Sequence, residues 1–296
     1  MPAYFLAMFA VTPIVSDVPR SIDEVLAFHV HPDVLVLVAG MLAVFHIGVR
    51  RFGPAMTPQG EPTVTRSQSI RFHAGVFAIL LVSGWPIHDI GARSLFLFHM
   101  IEHLTLAFVI PPLLLTGLPR WLLSAIVRPV LPVVRFFAKP VLALVLFNAV
   151  LALLHVPAVL NLMLTNDIVH IAIHSALMGT ALFLWIPILG PIQELPGLPP
   201  FYKLGYLFLQ SLVPTIPASF LTLGSAPLYP IYEQFPRMWG IGVFEDQVFA
   251  GLIMKIGGGF LLWTYITYYF FKWHAEEHAI SIRSTRPATR PRQGTS

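Results

Sequence analysis

The sequence predicts an all-α, polytopic membrane protein: a bundle of seven transmembrane helices, N-terminus outside and C-terminus in the cytoplasm. Three observations predict it. The 296 residues are 56% hydrophobic and only 11% charged. Soluble domains average about 25% charged, so a soluble fold of this composition would lack a polar coat. Seven stretches, at 34–51, 70–88, 95–118, 140–157, 168–189, 203–224 and 247–272, reach or approach the roughly 20 apolar residues that cross a bilayer as a helix. The loops between them alternate in charge. Of the 18 Lys and Arg residues, Arg20, Arg93 and Arg237 fall on one side and Lys255 lies within a span; the other 14 fall on the opposite side. The positive-inside rule makes that basic side cytoplasmic.

Each part of the chain follows from this frame. Residues 1–33 precede the first span. No Lys or Arg leads the mildly apolar stretch 1–16, whereas a secretory signal carries a basic n-region. It reads as an extracytoplasmic segment or short surface helix, with a cleaved signal as the alternative. Residues 34–272 form the membrane domain, divided by short turns such as Gly53-Pro54 and Gly190-Pro191. Pro111-Pro112 interrupts the third span and frees backbone carbonyls there, and Pro214 and Pro217 do the same in the sixth. Residues 273–296 are polar and Arg-rich, which predicts a disordered cytoplasmic tail. The net charge of +4 belongs to this one-sided loop pattern and implies a lipid partner, not nucleic acid. Cysteine is absent, which excludes disulfides and thiolate ligands; a metal site must use His, Met, carboxylate or carbonyl.

Two H-x-x-x-H pairs, His99/His103 and His170/His174, each put two imidazoles on one face of an apolar helix. Ionisable side chains inside a membrane are costly enough to imply function. Depth brings them together. Both pairs lie in the outer half, with His103 and His174 roughly 9–13 Å below the outer boundary. His88 and His155 end spans two and four at the same face. Glu102 shares the face of His99 and His103 and requires a partner: Lys255 by depth, or an imidazole or bound metal. Met254 could add a thioether, which suits Cu(I).

Blander roles compete for the outlying residues. His46 and His73 read as hydrogen-bonded helix linkers, His29 and His31 as solvated loop residues, His155 as the end of span four, and Met254 as packing. His274 and His278 read as a solvated helix end. They lie nearly a membrane thickness from the outer pairs, so a single di-iron centre cannot use all three pairs. For the outer group, copper, zinc and haem remain open. The string His99-Met100-Ile101-Glu102-His103 is H-x-x-E-H, the inverted zinc-hydrolase motif in which Glu activates water. Two helices each presenting one His could instead clamp a haem, His103 opposite His174.

Three segments resemble the seven-span CtaG family of cytochrome c oxidase assembly factors. They are F-H-M-I-E-H-L-T-L-A-F-V-I-P-P-L-L-L-T-G from Phe98 to Gly117, N-D-I-V-H-I-A-I-H from Asn166 to His174, and D-Q-V-F-A-G-L-I-M-K-I-G-G-G from Asp246 to Gly259. The resemblance implies a non-enzymatic protein of the bacterial inner membrane that binds copper near the outer face. It implies supply of that copper to subunit I of a haem-copper oxidase, with other copper chaperones as possible partners. It carries over His99, His103, His170 and His174, with Glu102, Asp246 and Met254 as motif positions. Lys255 stands where many members have an aromatic residue, and its cation would oppose a nearby metal unless paired with Glu102.

Overall fold

The computed structural model describes residues 18–57 and 60–285, with side chains described to residue 278. The expected surface segment at 1–16 and residues 286–296 lie outside the described residues. A short helix α1 (Ile22–Leu26) leads into α2 (Pro32–Met56). There follow α3 (Arg66–Val82), α4 (Ile87–Arg93), α5 (Phe96–Gly117), α6 (Arg120–Phe137) and α7 (Pro140–Leu154). The chain continues through α8 (Pro157–Thr165), α9 (Asp167–Leu189), α10 (Pro200–Leu212), α11 (Thr215–Leu223) and α12 (Val243–His278). Among the described residues there is no β-strand, only an isolated bridge between Ile192 and Leu195.

The helix boundaries follow local chemistry. Thr65 and Gln68 form a reciprocal capping box that opens α3. Asn166 accepts the Val169 N–H at 3.1 Å and opens α9. Proline occupies the first turn of α2, α7, α8 and α10, where its missing N–H costs nothing. Gly190, left-handed at φ 55°, closes α9.

Six membrane-length apolar helices cross the bundle by length and composition: α2, α3 with α4, α5, α9, α10 with α11, and α12. The fourth predicted span differs. There, α6 and α7 meet at 83°, and α7 has 15 residues, about 22 Å of helix against a hydrocarbon core of about 30 Å. A seventh span exists only if this bent pair is taken as one. The predicted stretch 140–157 stops early because Pro157 cannot donate to the carbonyl one turn back and biases Val156 out of the helical region. The first part of the tail expected to be disordered, residues 273–285, is instead helical. The last helix runs unbroken to Thr285, because extending an existing helix is far cheaper than starting one.

The prolines within spans act in two ways. In the sixth span, helix stops at Leu212 and restarts at Thr215, around Pro214. In α5, residues Thr105–Val109 widen into a π-helical turn ahead of Pro111-Pro112. Pro111 leaves the Ala107 carbonyl without its helical donor, and the Trp185 indole N–H of α9 takes it at 2.9 Å. That bond ties α5 to α9 directly below the histidines. Across the bundle, Asn148 of α7 donates to Gln210 of α10 at 2.8 Å, and Gly117 lets α5 lie against the Phe72 backbone of α3. Large apolar side chains such as Val36, Phe77, Val141 and Phe260 point outward, as a lipid-facing surface requires.

Candidate metal centre

The histidine cluster is built by three helices. From α4 comes His88, from α5 come His99, Glu102 and His103, and from α9 come His170 and His174. His99 and His103 are buried and Glu102 is fully so. The paired rings touch within each helix, at 4.0 Å between centroids for His99/His103 and 4.5 Å for His170/His174. The two helices meet where His103 Nε2 lies 3.1 Å from His174 Nε2. His88 packs its ring 4.9 Å from His170. Two nitrogen triads result, His88/His170/His174 and His99/His103/His174, each with its ligand atoms within 4.8 Å of one another. His174 belongs to both.

Glu102 sets the protonation pattern. His88 Nδ1 donates to it at 3.1 Å, and His174 Nδ1 lies 3.3 Å from its other oxygen. A carboxylate only accepts, so His88 Nδ1 carries hydrogen and its Nε2 is bare in the neutral ring. His103 Nε2 and His174 Nε2 share one hydrogen between them, and His103 Nδ1 takes no part in that bond. That atom is buried without a hydrogen-bond partner, as is His170 Nε2. Buried nitrogens are seldom left unpaired, and unpartnered imidazole nitrogens in a dry interior are available to a cation. Glu102 thus orients His88 through its Nδ1–H, as carboxylates orient imidazoles that serve as ligands.

Lys255 does not pair with Glu102. It is exposed, and two imidazoles occupy the carboxylate instead, the alternative left open by depth alone. Met254 is 2% exposed within the main apolar core. His155 stays outside both triads. Its Nδ1 bonds the Leu151 carbonyl at 2.7 Å and its buried Nε2 is unpartnered. His46 and His73 form the predicted helix link, Nε2 to Nε2 at 3.2 Å between α2 and α3. The reading of His29 and His31 as simply solvated is incomplete, since both flank the buried carboxylate of Asp89.

Asp246 proves to be a positioning residue. Leu95, which precedes α5, offers no capping side chain. Asp246 supplies the cap from α12, accepting the Phe96 and Leu97 N–H groups at 2.8 and 2.9 Å, where an anion also meets the helix dipole favourably. Arg237 holds Asp246 at 2.8 Å and donates to the Ser94 carbonyl. The connection between α11 and α12 adds further ties. Tyr232 donates to the Gly91 carbonyl at 2.8 Å and Tyr229 to the His155 carbonyl at 3.0 Å. Burial pushes both phenols above their ordinary range, so they remain neutral donors. Gly91 itself is required by space: a Cβ there would lie 2.7 Å from the His99 nitrogen. None of Gly91, Tyr229, Tyr232 or Trp185 stands out in the sequence. Only Pro111-Pro112 signals one of them, through the donor it makes necessary.

The family model of cytochrome c oxidase caa3 assembly factors (Caa3_CtaG) matches residues 43–276. The chain belongs to this family. The match spans the whole histidine cluster and its supports, and it begins within α2. This Caa3_CtaG member is thus a multi-pass helical protein whose buried imidazoles lie inside the matched region. No curated protein and no solved structure matches the chain.

Proposed function

We propose that this protein is an assembly factor that holds copper as cargo near the outer membrane face and passes it to the copper site of a haem-copper oxidase. Family membership supports the assembly role. The observation that carries the copper reading is the cluster of imidazoles around Glu102, in which His103 Nδ1 and His170 Nε2 are buried without a hydrogen-bond partner. The donor set is imidazole, which copper accepts, and neighbouring imidazoles permit release by ligand exchange. In this reading the acidic, histidine-bearing end of the bundle faces the periplasm and the Arg-rich end the cytoplasm. The cargo binds and leaves without a bond being made or broken in a substrate, so the protein is not an enzyme.

A zinc hydrolase is the second reading, favoured by the closeness of His99, His103 and His174, the three-ligand set that H-x-x-E-H predicts. Against it, both oxygens of Glu102 already face imidazoles, which leaves that carboxylate poorly placed to activate water. Haem fits less well. Two axial bonds of roughly 2 Å each need about 4 Å between nitrogens, and His103 and His174 stand 3.1 Å apart with no gap for a porphyrin.

Metal analysis of the purified full-length protein tests the proposal. Copper should bind to the wild type and be lost in His99→Ala/His103→Ala, and a deletion strain should lose oxidase activity at low copper. A wild type that takes up no copper, or a deletion strain with full oxidase activity, would overturn it.

A further inference from the structure

A second carboxylate–imidazole group lies between the buried cluster and the exterior. Asp89, on α4 beside His88, is only 4% exposed. His31 Nε2 donates to it at 3.0 Å. His29 Nδ1 lies 3.5 Å from its other oxygen without forming a hydrogen bond. The arrangement repeats the one around Glu102: a buried carboxylate flanked by two imidazoles. Asp89 fixes the hydrogen of His31 on Nε2 and leaves its Nδ1 bare. The His31 ring then meets the His88 ring edge-on at 5.0 Å. The outer and inner groups are therefore in direct contact, through two imidazoles that each have one nitrogen held by a carboxylate.

Exposure falls from His29 to His174 along this line. Side-chain exposure is 40% at His29, 20% at His31, 17% at His88 and 14% at His174. Over the whole residue, His103 is 4% and His99 2% exposed. Ring contacts are continuous from His31 through His88 to His170 and His174, and on to His103 and His99, with each centroid step between 4.0 and 5.9 Å. A cation bound by imidazole moves by gaining one ligand before losing another. Such steps require neighbouring ligands within a few ångströms, so that the ion is never bare in a medium where charge is costly.

We infer that His31, oriented by Asp89, is the outer receiving ligand of an imidazole ladder that carries the metal cation from the aqueous face to the buried cluster. His29 stands at its mouth, where Arg93 faces its Nε2 at 3.4 Å. Both His29 and His31 precede residue 43, where the family match begins. The inference rests on the copper reading above and adds the path by which the ion arrives.

Loading kinetics of the apo, full-length protein test it. Cu(I) is presented on a chromophoric chelator and its transfer followed by stopped flow, for wild type, His31→Ala, His31→Gln and Asp89→Asn. The final copper stoichiometry should be unchanged in all four, and the three variants should load at least tenfold more slowly. Thermal unfolding of the apo proteins identifies any variant that fails to fold, and His31→Gln keeps a polar side chain of similar reach for that case. Folded variants that load at the wild-type rate would overturn the ladder while leaving the copper site intact. Loss of bound copper in folded His31 variants would also overturn it, by making His31 a ligand of the resting site. A wild type that takes up no copper would overturn the ladder together with the proposed function.

Discussion

At the scale of single residues, the chemistry turns on which nitrogen of each imidazole carries its hydrogen. Glu102 decides this for His88. Replacing it with Gln removes the charge and puts an amide N–H opposite one imidazole, reversing that ring's tautomer and blocking its ligand nitrogen. Glu102→Gln should lower copper affinity by about 10–100-fold, read by competition with a chelator of known affinity. A hydrolase would respond differently, keeping its metal and losing turnover. Glu194, on the basic end, gives a residue-scale test of a different kind. The Ser124 hydroxyl, donating at 2.7 Å, holds the Glu194 carboxyl below its usual range, with its own backbone N–H and nearby Arg135 and Arg128 contributing. Its folded-state pKa is depressed, so its contribution to stability is present above the ordinary carboxylate pKa and lost as pH falls through the lowered value. Ser124→Ala should return Glu194 toward the ordinary range, measurable by NMR titration of the labelled side chain.

At the scale of helices, the site depends on how α5 is held. Its first turn is capped by Asp246, its middle is tied to α9 by Trp185, and its face against α4 is cleared by Gly91. Asp246→Ala removes the cap and leaves the Arg237 guanidinium without its carboxylate. Breaking such a buried pair costs about 3–5 kcal/mol, to be read as a lowered unfolding midpoint in detergent, with copper binding weakened in parallel. Trp185→Phe keeps the aromatic volume and strands the Ala107 carbonyl, a loss of about 1–3 kcal/mol in the same measurement. The amphipathic faces of α5 and α9 can be read from H-x-x-x-H spacing alone. Their supports cannot, because Asp246 lies 150 residues from Phe96 and nothing local in either segment indicates the other.

At the scale of the whole molecule, the bundle separates an acidic, histidine-bearing end from an Arg-rich end. The chain contains no cysteine, so orientation can be mapped with single introduced thiols. Cysteine at Trp239, 66% exposed, should react with an impermeant maleimide added outside intact cells. Cysteine at Arg128, exposed at the other end, should react only after the membrane is opened; the reverse pattern would invert the topology.

The sequence by itself determined the membrane class, most span positions, the pairing of His99 with His103 and of His170 with His174 on one helix face each, and the linking role of His46 and His73. These are periodic or compositional properties, written into neighbouring residues by the helical repeat and the thickness of a bilayer. Only the tertiary structure decided that Glu102 is held by His88 and His174 and not by Lys255. Depth along a helix is set by residue count, but the direction a side chain faces across the bundle is set by how helices rotate and pack. The same packing made Asp246 a cap, turned the fourth span into a bent pair, and brought Asp89 and His31 into line with His88.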